Sequence, residues 1–329
     1  MKYRKLGSTD LELSVITFGA WAIGGWMWGG TDRKMAVDAI RASWDAGVTS
    51  IDTAPIYGMG LSEELVAEAM QDVPRDKMQL LTKFGLRWRA PESGEHPEAE
   101  DSNGNPLVVY RHAGRDSIIQ ECEDSLRRLK TDYIDLYQLH WPDKHTPVDE
   151  TMEAVVRLLE QGKIRYAAVC NYNATQMAEA MKTAPIVSNQ VPYSMVLRDI
   201  EKEVVPYCIE HDLGILAYSP LQRGLLTGKI KPGQSFPEGD HRDGNRFFTD
   251  EFVNRTNRFL DAVRPTADRH NATLAQLVLA WTIEQPGITV ALAGARNADQ
   301  AVQNAGAAAV DLTTEEVDTI TSQLTAHGF

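Results

Sequence analysis

The chain predicts an α/β fold, a closed (β/α)8 (TIM) barrel with an N-terminal β-hairpin and long loops at the C-terminal face. Three observations carry that expectation. Eight short apolar runs rich in β-branched residues alternate with longer segments of helical period. The turn after the first run, Gly19-Ala20-Trp21-Ala22-Ile23-Gly24-Gly25, lacks the GxGxxG fingerprint that an open doubly wound sheet would carry there. The length, 329 residues, suits one elaborated barrel, for which about 250 residues is typical. Residues 1–329 therefore read as a single barrel domain.

Tyr3–Leu13, YRKLGSTDLEL, alternates around a Gly-Ser-Thr-Asp turn and reads as a hairpin plugging the barrel bottom. The barrel strands are expected at Val15–Gly19, Thr49–Thr53, Met78–Thr82, Tyr133–Leu139, Ile164–Cys170, Val187–Asn189, Gly214–Tyr218 and Thr289–Leu292. Helices are expected at Lys34–Ala46, Ser62–Met70, Arg115–Leu129, Val148–Gln161, Ala174–Met181, Ile200–His211 and Leu274–Gln285. Gly47 ends the first helix with a residue that tolerates left-handed backbone, and Ser62 ahead of Glu63 and Glu64 reads as a helix cap. Strands alternating with helices pair in parallel through right-handed crossovers. Three stretches read as long loops: Trp21–Asp32, aromatic and Gly-rich; Gly85–Arg111, polar with three prolines; and Leu221–Thr249, rich in Gly, Pro and charge.

Composition narrows the function. Hydrophobic residues make up 43% of the chain, enough for a large core. The 46 acidic against 33 basic residues leave a net charge of −13, which disfavours nonspecific binding to nucleic acid or acidic membranes. A phosphate-bearing ligand must then meet positive charge supplied locally. Cys122, Cys170 and Cys208 are scattered without CxxC spacing, so neither a disulfide framework nor a metal site is expected. MKYRKLGSTD has no apolar signal core and no run of about 18 apolar residues follows. The expectation is a cytoplasmic protein with no nucleic-acid or membrane partner, a monomer or a weak homo-oligomer.

In a parallel barrel the chemistry sits where the strands end. Those ends read Asp52, Lys83, His140, Cys170-Asn171, Asn189-Gln190, Tyr218-Ser219 and Gly294-Ala295-Arg296, with Tyr57 five residues beyond Asp52. Taken singly, each has an ordinary role: Asp52 caps a helix, Lys83 reaches water, and His140 and Tyr57 pack. Facing one mouth together, they have a chemical one. A carbonyl that accepts a hydride needs a proton, and tyrosine, near a reference pKa of about 10, is a reluctant donor. An adjacent ammonium favours the phenolate and lowers that pKa. Lys83 supplies the ammonium, Asp52 holds it, and His140 orients the carbonyl or relays the proton.

The segments IDTAPIYG, LLTKFG and DLYQLHWPD resemble the catalytic-tetrad segments of the aldo-keto reductases, in the same order. VCNYN, SNQVPYS, LAYSPLQRGLLTGK and ALAGARNADQAVQNAGA resemble that family's cofactor segments, and AWAIGGWMWGGTD suggests the bacterial branch that includes general-stress members. The likeness runs from about residue 3 to 325. It implies NADPH-dependent reduction of aldehydes, and of ketones, to alcohols. Tyr57 would be the general acid, with Asp52, Lys83 and His140 as partners. Asn171 and Gln190 would bind the nicotinamide carboxamide beside Cys170, and Tyr218 would stack under the ring. Ser219, Leu221 and Gly224 would follow the pyrophosphate. Arg296, helped by Lys229 and Arg223, would pair with the 2′-phosphate, Gly294 standing where many members have a Lys-Ser pair. Gln300 and Asn304 would reach the phosphate and adenine. NADH is the less favoured cofactor. The resemblance also admits a nucleotide-sensing regulatory subunit with slow turnover, like the channel-associated β subunits.

The substrate is expected to be a small carbonyl compound. Trp21, Trp26, Trp28, Trp88 and Trp141 lie in or near the mouth loops and would wall its pocket. The loop FPEGDHRDGNRFF, residues 236–248, would either close over the cofactor or stay solvated. His140 with Asp143 and His145 leaves a metal-dependent isomerase or lyase as a remote alternative.

Overall fold

The structure, a computed structural model, describes residues 1–101 and 104–329. It opens with the expected hairpin, β1 (Tyr3–Lys5) against β2 (Glu12–Ser14), antiparallel. Barrel strands and helices then alternate: β3 (Ile16–Gly19), α1 (Arg33–Asp45), β4 (Ser50–Asp52), α2 (Leu61–Ala69) and β5 (Gln79–Phe84). A side sheet of β6 (Leu86–Arg89), β7 (Ala99–Glu100) and β8 (Pro106–Arg111) interrupts the alternation. It resumes with α3 (Arg115–Leu129), β9 (Ile134–Leu139), α4 (Val148–Glu160), β10 (Ile164–Cys170), α5 (Ala174–Met181) and β11 (Ile186–Pro192). The chain ends through α6 (Val204–Glu210), β12 (Gly214–Tyr218), α7 (Asp250–Arg269), α8 (Leu274–Ile283), β13 (Ile288–Ala293), α9 (Ala298–Gly306) and α10 (Thr314–Ala326).

Eight of these strands close a parallel barrel in the order β3-β4-β5-β9-β10-β11-β12-β13, and β13 pairs back onto β3. All eight coincide with the runs expected from the sequence, to within a few residues. The alternation of side chains along each strand then sorts the interior into layers. Low in the barrel, Leu81, Leu136, Ala168, Leu216 and Val290 pack together with Leu6, Leu11 and Leu13 of the hairpin, which seals that end. Two residues further along their strands, Lys83 and Gln138 face each other across the β5–β9 register. An apolar floor thus lies directly beneath a polar ceiling. The larger apolar clusters lie outside the barrel wall, beneath the helices.

The sequence reading missed four features. Gly85–Arg111 is no simple loop, because β6 pairs antiparallel with β8, and β8 with β7. Ser102 and Asn103 of that stretch lie outside the described residues. Helix α7 was not expected, although Val253, Thr256, Phe259, Leu260, Val263 and Ala267 recur at helical spacing on its buried face and Pro265 lies inside it. Nor was α10, although Thr313 and Glu316 form a reciprocal capping box at its start. Ser62 does not cap α2. Gly60 holds the cap position, while the Ser62 hydroxyl, buried, donates to the Ala20 carbonyl at 2.9 Å and contacts the Thr53 hydroxyl at 2.8 Å. Gly47 does end α1 in the left-handed region, at φ +88°. No helix among the described residues is long and apolar enough to cross a membrane.

Candidate active site

At the centre of the mouth an ion pair is shut away from water. Lys83 at the top of β5 and Asp52 at the end of β4 are both almost fully buried, with Lys83 Nζ donating to Asp52 Oδ1 at 2.5 Å and to the Thr53 carbonyl at 2.9 Å. Two charges leave water only when every remaining lone pair finds a donor. Asp52 Oδ2 finds two, Gln138 Nε2 at 2.9 Å and Gln190 Nε2 at 2.8 Å. Gln190 also donates to Gln138 Oε1 at 3.2 Å, which ties the two amides together. Gln138 is a residue that the sequence reading missed. Its signal was there: it stands two positions before His140 on one strand and so faces the same interior.

Tyr57 and His140 sit on this platform. The Lys83 ammonium lies 4.9 Å from the Tyr57 ring centre, and the Tyr57 and His140 rings meet edge to face with centres 5.7 Å apart. The loop that presents Tyr57 is placed by two glycines. A Cβ on Gly24 would stand 2.6 Å from the Tyr57 carbonyl carbon and oxygen, and Gly58 follows with φ +69°. Only a residue without a side chain allows that approach.

Burial changes the expected electrostatics. It pushes the Tyr57 phenol up to about 12, and Lys83 is the strongest of the influences opposing it. The expected net lowering is therefore corrected: the ammonium favours the phenolate, but desolvation outweighs it. His140 is held well below the ordinary imidazole range by burial and then by the Lys83 charge, so it is neutral. Lys83 stays charged because Asp52, with smaller help from its other neighbours, outweighs the desolvation.

The cavity above this platform has a volume of about 740 Å³, within the roughly 300–1,000 Å³ of small-ligand sites. The site residues expected from the sequence line it, with three exceptions. Lys83 acts from beneath, through Asp52 and Tyr57. Cys170 is 1% exposed and lies in the buried layer, its thiol pushed up by burial. It does not line the cavity. Trp88 is also absent from the wall, whereas Leu86 on the same strand is part of it. Two residues along β6 carry Trp88 about 7 Å further out. Trp21, Trp28 and Trp141 do line the cavity, and Trp26 joins them.

Two arms lead away from Tyr57. Toward β12, Asn171 takes the left-handed conformation at φ +60°, donates to the His140 carbonyl at 3.0 Å and accepts from the Tyr218 hydroxyl at 3.0 Å. Ser219, Leu221, Gly224, Lys229 and Arg223 continue along this wall. Arg223 Nε is buried without a partner, and a Cβ on Gly224 would meet nothing within 4 Å, which leaves an open cradle beside a cation. Toward α9, the Arg296 N–H donates to Gln300 Oε1 at 2.9 Å and its guanidinium to the Gly30 carbonyl at 3.1 Å. Asn304 holds the Gly294 carbonyl at 3.0 Å. An elongated anion with a flat ring at one end fits this shape and charge. His241, from the 236–248 loop, also enters the wall, between Trp21 and Trp28. Nothing periodic in the sequence could have found it. Among the described residues no group of three or more His, Cys, Asp or Glu could hold a metal ion.

The chain is similar to known proteins in both sequence and fold. The family model described as "Aldo/keto reductase family" matches residues 15–324. The chain is 40% identical over 305 residues to aldo-keto reductase YhdN of Bacillus subtilis, covering 91% of this chain and 86% of that protein. It is 33% identical over 317 residues to a protein named NADH-specific methylglyoxal reductase of Escherichia coli, covering 95% of each. Among solved structures, a glycerol dehydrogenase from Gluconobacter oxydans superposes with a TM-score of 0.88 at 35% identity, over 99% of this chain and 96% of that one.

Proposed function

The chain belongs to the aldo/keto reductase family and is an NAD(P)H-dependent oxidoreductase acting on carbonyls, and from that premise we propose that it reduces small aldehydes, and ketones, to alcohols with Tyr57 as proton donor. The observation that carries the reading is the Asp52–Lys83 ion pair buried directly against Tyr57. NADPH is the preferred cofactor in this reading. Arg296 and Lys229 on the cavity wall are suited to a 2′-phosphate, where a guanidinium offers paired hydrogen bonds. The relative named NADH-specific pulls the other way, so both cofactors belong in the test. The relatives named for methylglyoxal and glycerol support a small substrate.

The bound cofactor supplies a hydride to the carbonyl carbon; the protein manages the proton. In this reading neutral His140 and the Tyr57 hydroxyl, whose rings meet edge to face on the cavity wall, both donate to one carbonyl oxygen. As the carbonyl is reduced, its oxygen becomes an alkoxide, a far stronger base than a phenolate even with the Tyr57 pKa at about 12. The Tyr57 proton therefore moves to it. Lys83 stabilises the phenolate left behind, and Asp52, braced by Gln138 and Gln190, keeps Lys83 charged and in place. Positioned proton transfer of this kind contributes on the order of 10²- to 10⁴-fold in rate. Asn171, Gln190 and Tyr218 would hold the nicotinamide end. Ser219, Leu221, Gly224 and Arg223 would hold the pyrophosphate. Gln300 and Asn304 would lie toward the adenine.

The test is consumption of NADPH and of NADH with a panel of aldehydes, run beside Tyr57→Phe. The expected result is NADPH-preferring turnover that falls by about 10²- to 10⁴-fold in the variant, with NADPH affinity unchanged. Equal turnover by the variant removes Tyr57 from the mechanism. Tight NADPH binding with negligible wild-type turnover would favour the regulatory-subunit reading.

A further inference from the structure

The wall beside Tyr57 and the site read as holding the 2′-phosphate are joined by one hydrogen bond. Trp26, Met27 and Trp28 line the cavity, and all three sit on a short turn between Gly25 and Gly30. The turn is closed on itself, because the Trp28 and Gly30 N–H groups both donate to the Gly25 carbonyl, at 3.0 Å and 3.2 Å. Its backbone is left-handed at Gly25, Met27, Gly29 and Gly30, with φ of +80°, +63°, +71° and +90°. Glycine adopts that conformation freely, whereas a methionine is strained in it. A strained residue keeps its shape only when the surrounding structure holds it.

Three elements hold this turn. The Trp26 indole N–H donates to the Glu98 carbonyl, beside the side sheet, in a long bond of 3.4 Å. The Met27 carbonyl accepts from His241 of the 236–248 loop, from its backbone N–H at 3.1 Å and its ring Nδ1 at 2.6 Å. The Gly30 carbonyl accepts from Arg296 Nη2 at 3.1 Å. Arg296 is the anchor fixed to the barrel wall. Its backbone N–H donates to Gln300 of α9, and Ala301 and Ala305 of that helix share an apolar cluster with Ala36, Val37 and Ile40 of α1. A guanidinium carries five N–H donors in a fixed fork, and each of its two pairing edges uses one hydrogen of Nη2. The Gly30 carbonyl takes one of these hydrogens, so the other edge stays open to a phosphate. One side chain can then hold both, and a phosphate that immobilises the guanidinium also firms the turn tied to it. A ligand that rigidifies a segment lowers the ordering cost for the next ligand that needs it.

Building on the reading that Arg296 meets the 2′-phosphate and Tyr57 the carbonyl, we propose that Arg296 is also a positioning residue for the substrate wall. Through the Gly30 carbonyl it holds the Gly25–Gly30 turn, so that a bound 2′-phosphate firms Trp26 and Trp28 around the substrate. The path to the reacting end is short: Trp28 meets Trp21 edge-on at 5.4 Å, and Trp21 is centred 6.3 Å from the Tyr57 ring. The 2′-phosphate then does more than select the cofactor, because it also lowers the KM for the carbonyl compound. NADPH and NADH carry the same nicotinamide, so a gap in substrate affinity between them originates in the protein.

The first readout needs no turnover. Hydrogen exchange at the Trp28 and Gly30 amides is followed in the wild type, Arg296→Leu and Arg296→Lys. Exchange in the free protein should rise about three- to ten-fold in Arg296→Leu, as for one lost hydrogen bond. It should return toward the wild-type rate in Arg296→Lys, whose ammonium also donates. The amides of α1 should keep their rates, whereas a general loosening would move them too. In the wild type, adenosine 2′,5′-bisphosphate should slow exchange at the turn more than AMP does, and the two should act alike in Arg296→Leu. The second readout is the KM for propanal at saturating NADPH or NADH. It should be about three- to ten-fold lower with NADPH in the wild type, and that gap should close in Arg296→Leu. Unchanged exchange in Arg296→Leu, or one propanal KM with both cofactors in the wild type, overturns the proposal. If the wild type binds the bisphosphate no more tightly than AMP, the phosphate reading of Arg296 fails and this inference with it. If it binds the bisphosphate more tightly but the turn exchanges as it does with AMP, only the positioning role fails.

Discussion

Replacing the two members of the buried pair, first singly and then together, separates what Asp52 and Lys83 do for the fold from what they do for the reaction. At 2.5 Å their attraction is about 7 kcal/mol gross at an effective dielectric of ~20, set against a desolvation cost of several kcal/mol for each ion. Asp52→Asn strands the Lys83 ammonium. It also creates a conflict of donors. If the new amide oxygen faces Gln138 and Gln190, its NH2 faces Lys83; if it turns round, its NH2 faces the two glutamine donors. Lys83→Met leaves the carboxylate buried, though with both glutamines still donating to it. Removing one partner of such a pair costs about 3–5 kcal/mol, with Lys83→Met at the low end. In the double variant both problems vanish, because the introduced amide NH2 meets a thioether, and replacing a whole buried pair is often close to neutral. The assay is denaturant unfolding of all four proteins at pH 7. Two destabilised single variants and a double variant recovering at least about 2 kcal/mol of their summed loss are expected. All three variants should turn over at least about 100-fold more slowly than wild type. Additive losses, or single variants costing under about 1 kcal/mol, would refute the claim that a charged pair is held there.

Three other perturbations follow from the structure. Gly24→Ala places a methyl group 2.6 Å from the Tyr57 backbone carbonyl. Overpacking of about 1–3 kcal/mol, with Tyr57 displaced, should lower kcat by about 100-fold, and a kcat within two-fold of wild type counts against this placement of Tyr57. Arg296→Leu should raise the KM for NADPH by about 10- to 100-fold, as expected for one lost hydrogen-bonded charge, and leave that for NADH little changed; equal shifts would dissociate Arg296 from the phosphate. Glu121, which accepts from the Gly85 N–H at 3.0 Å, has its carboxyl pushed up to about 7 by burial, against the opposing pull of Gly85, Arg87 and Ser117. A raised folded-state pKa means its stabilisation is complete below the unfolded value and is lost as pH rises through about 7. Relative to Glu121→Gln, the wild type should therefore lose up to about 3 kcal/mol between roughly pH 4.5 and 7.5. A pH-independent difference in unfolding free energy between the two would contradict it.

The barrel and its strand ends could be read from the chain because they rest on local periodicity. Eight apolar runs of the right length, each broken by a helix, have few closed solutions, and a period of two along each strand then decides which residues face inward. Asp52, Lys83, His140 and Gln190 were legible on that basis, and Gln138 would have been had the same count been continued backwards from His140. The capping box at Thr313 is equally visible in the residue types. Other features were not local properties. Whether Leu86–Arg111 pairs into a sheet, and whether Trp88 or Leu86 reaches the cavity, depends on register between strands far apart in sequence. His241 comes from a loop with no period at all and gains its meaning only from the Met27 carbonyl and the two indoles around it. The pKa of Tyr57 is the sharpest case. The residue types alone say that Lys83 lowers it, but the net direction is set by how completely the folded chain excludes water from the phenol. Residue order and strand period were enough to bring Asp52, Lys83, His140 and Gln190 to one mouth. The tertiary structure decided how dry that mouth is, and desolvation, a property of the whole enclosure rather than of any pair of residues, sets the charge states on which the chemistry depends.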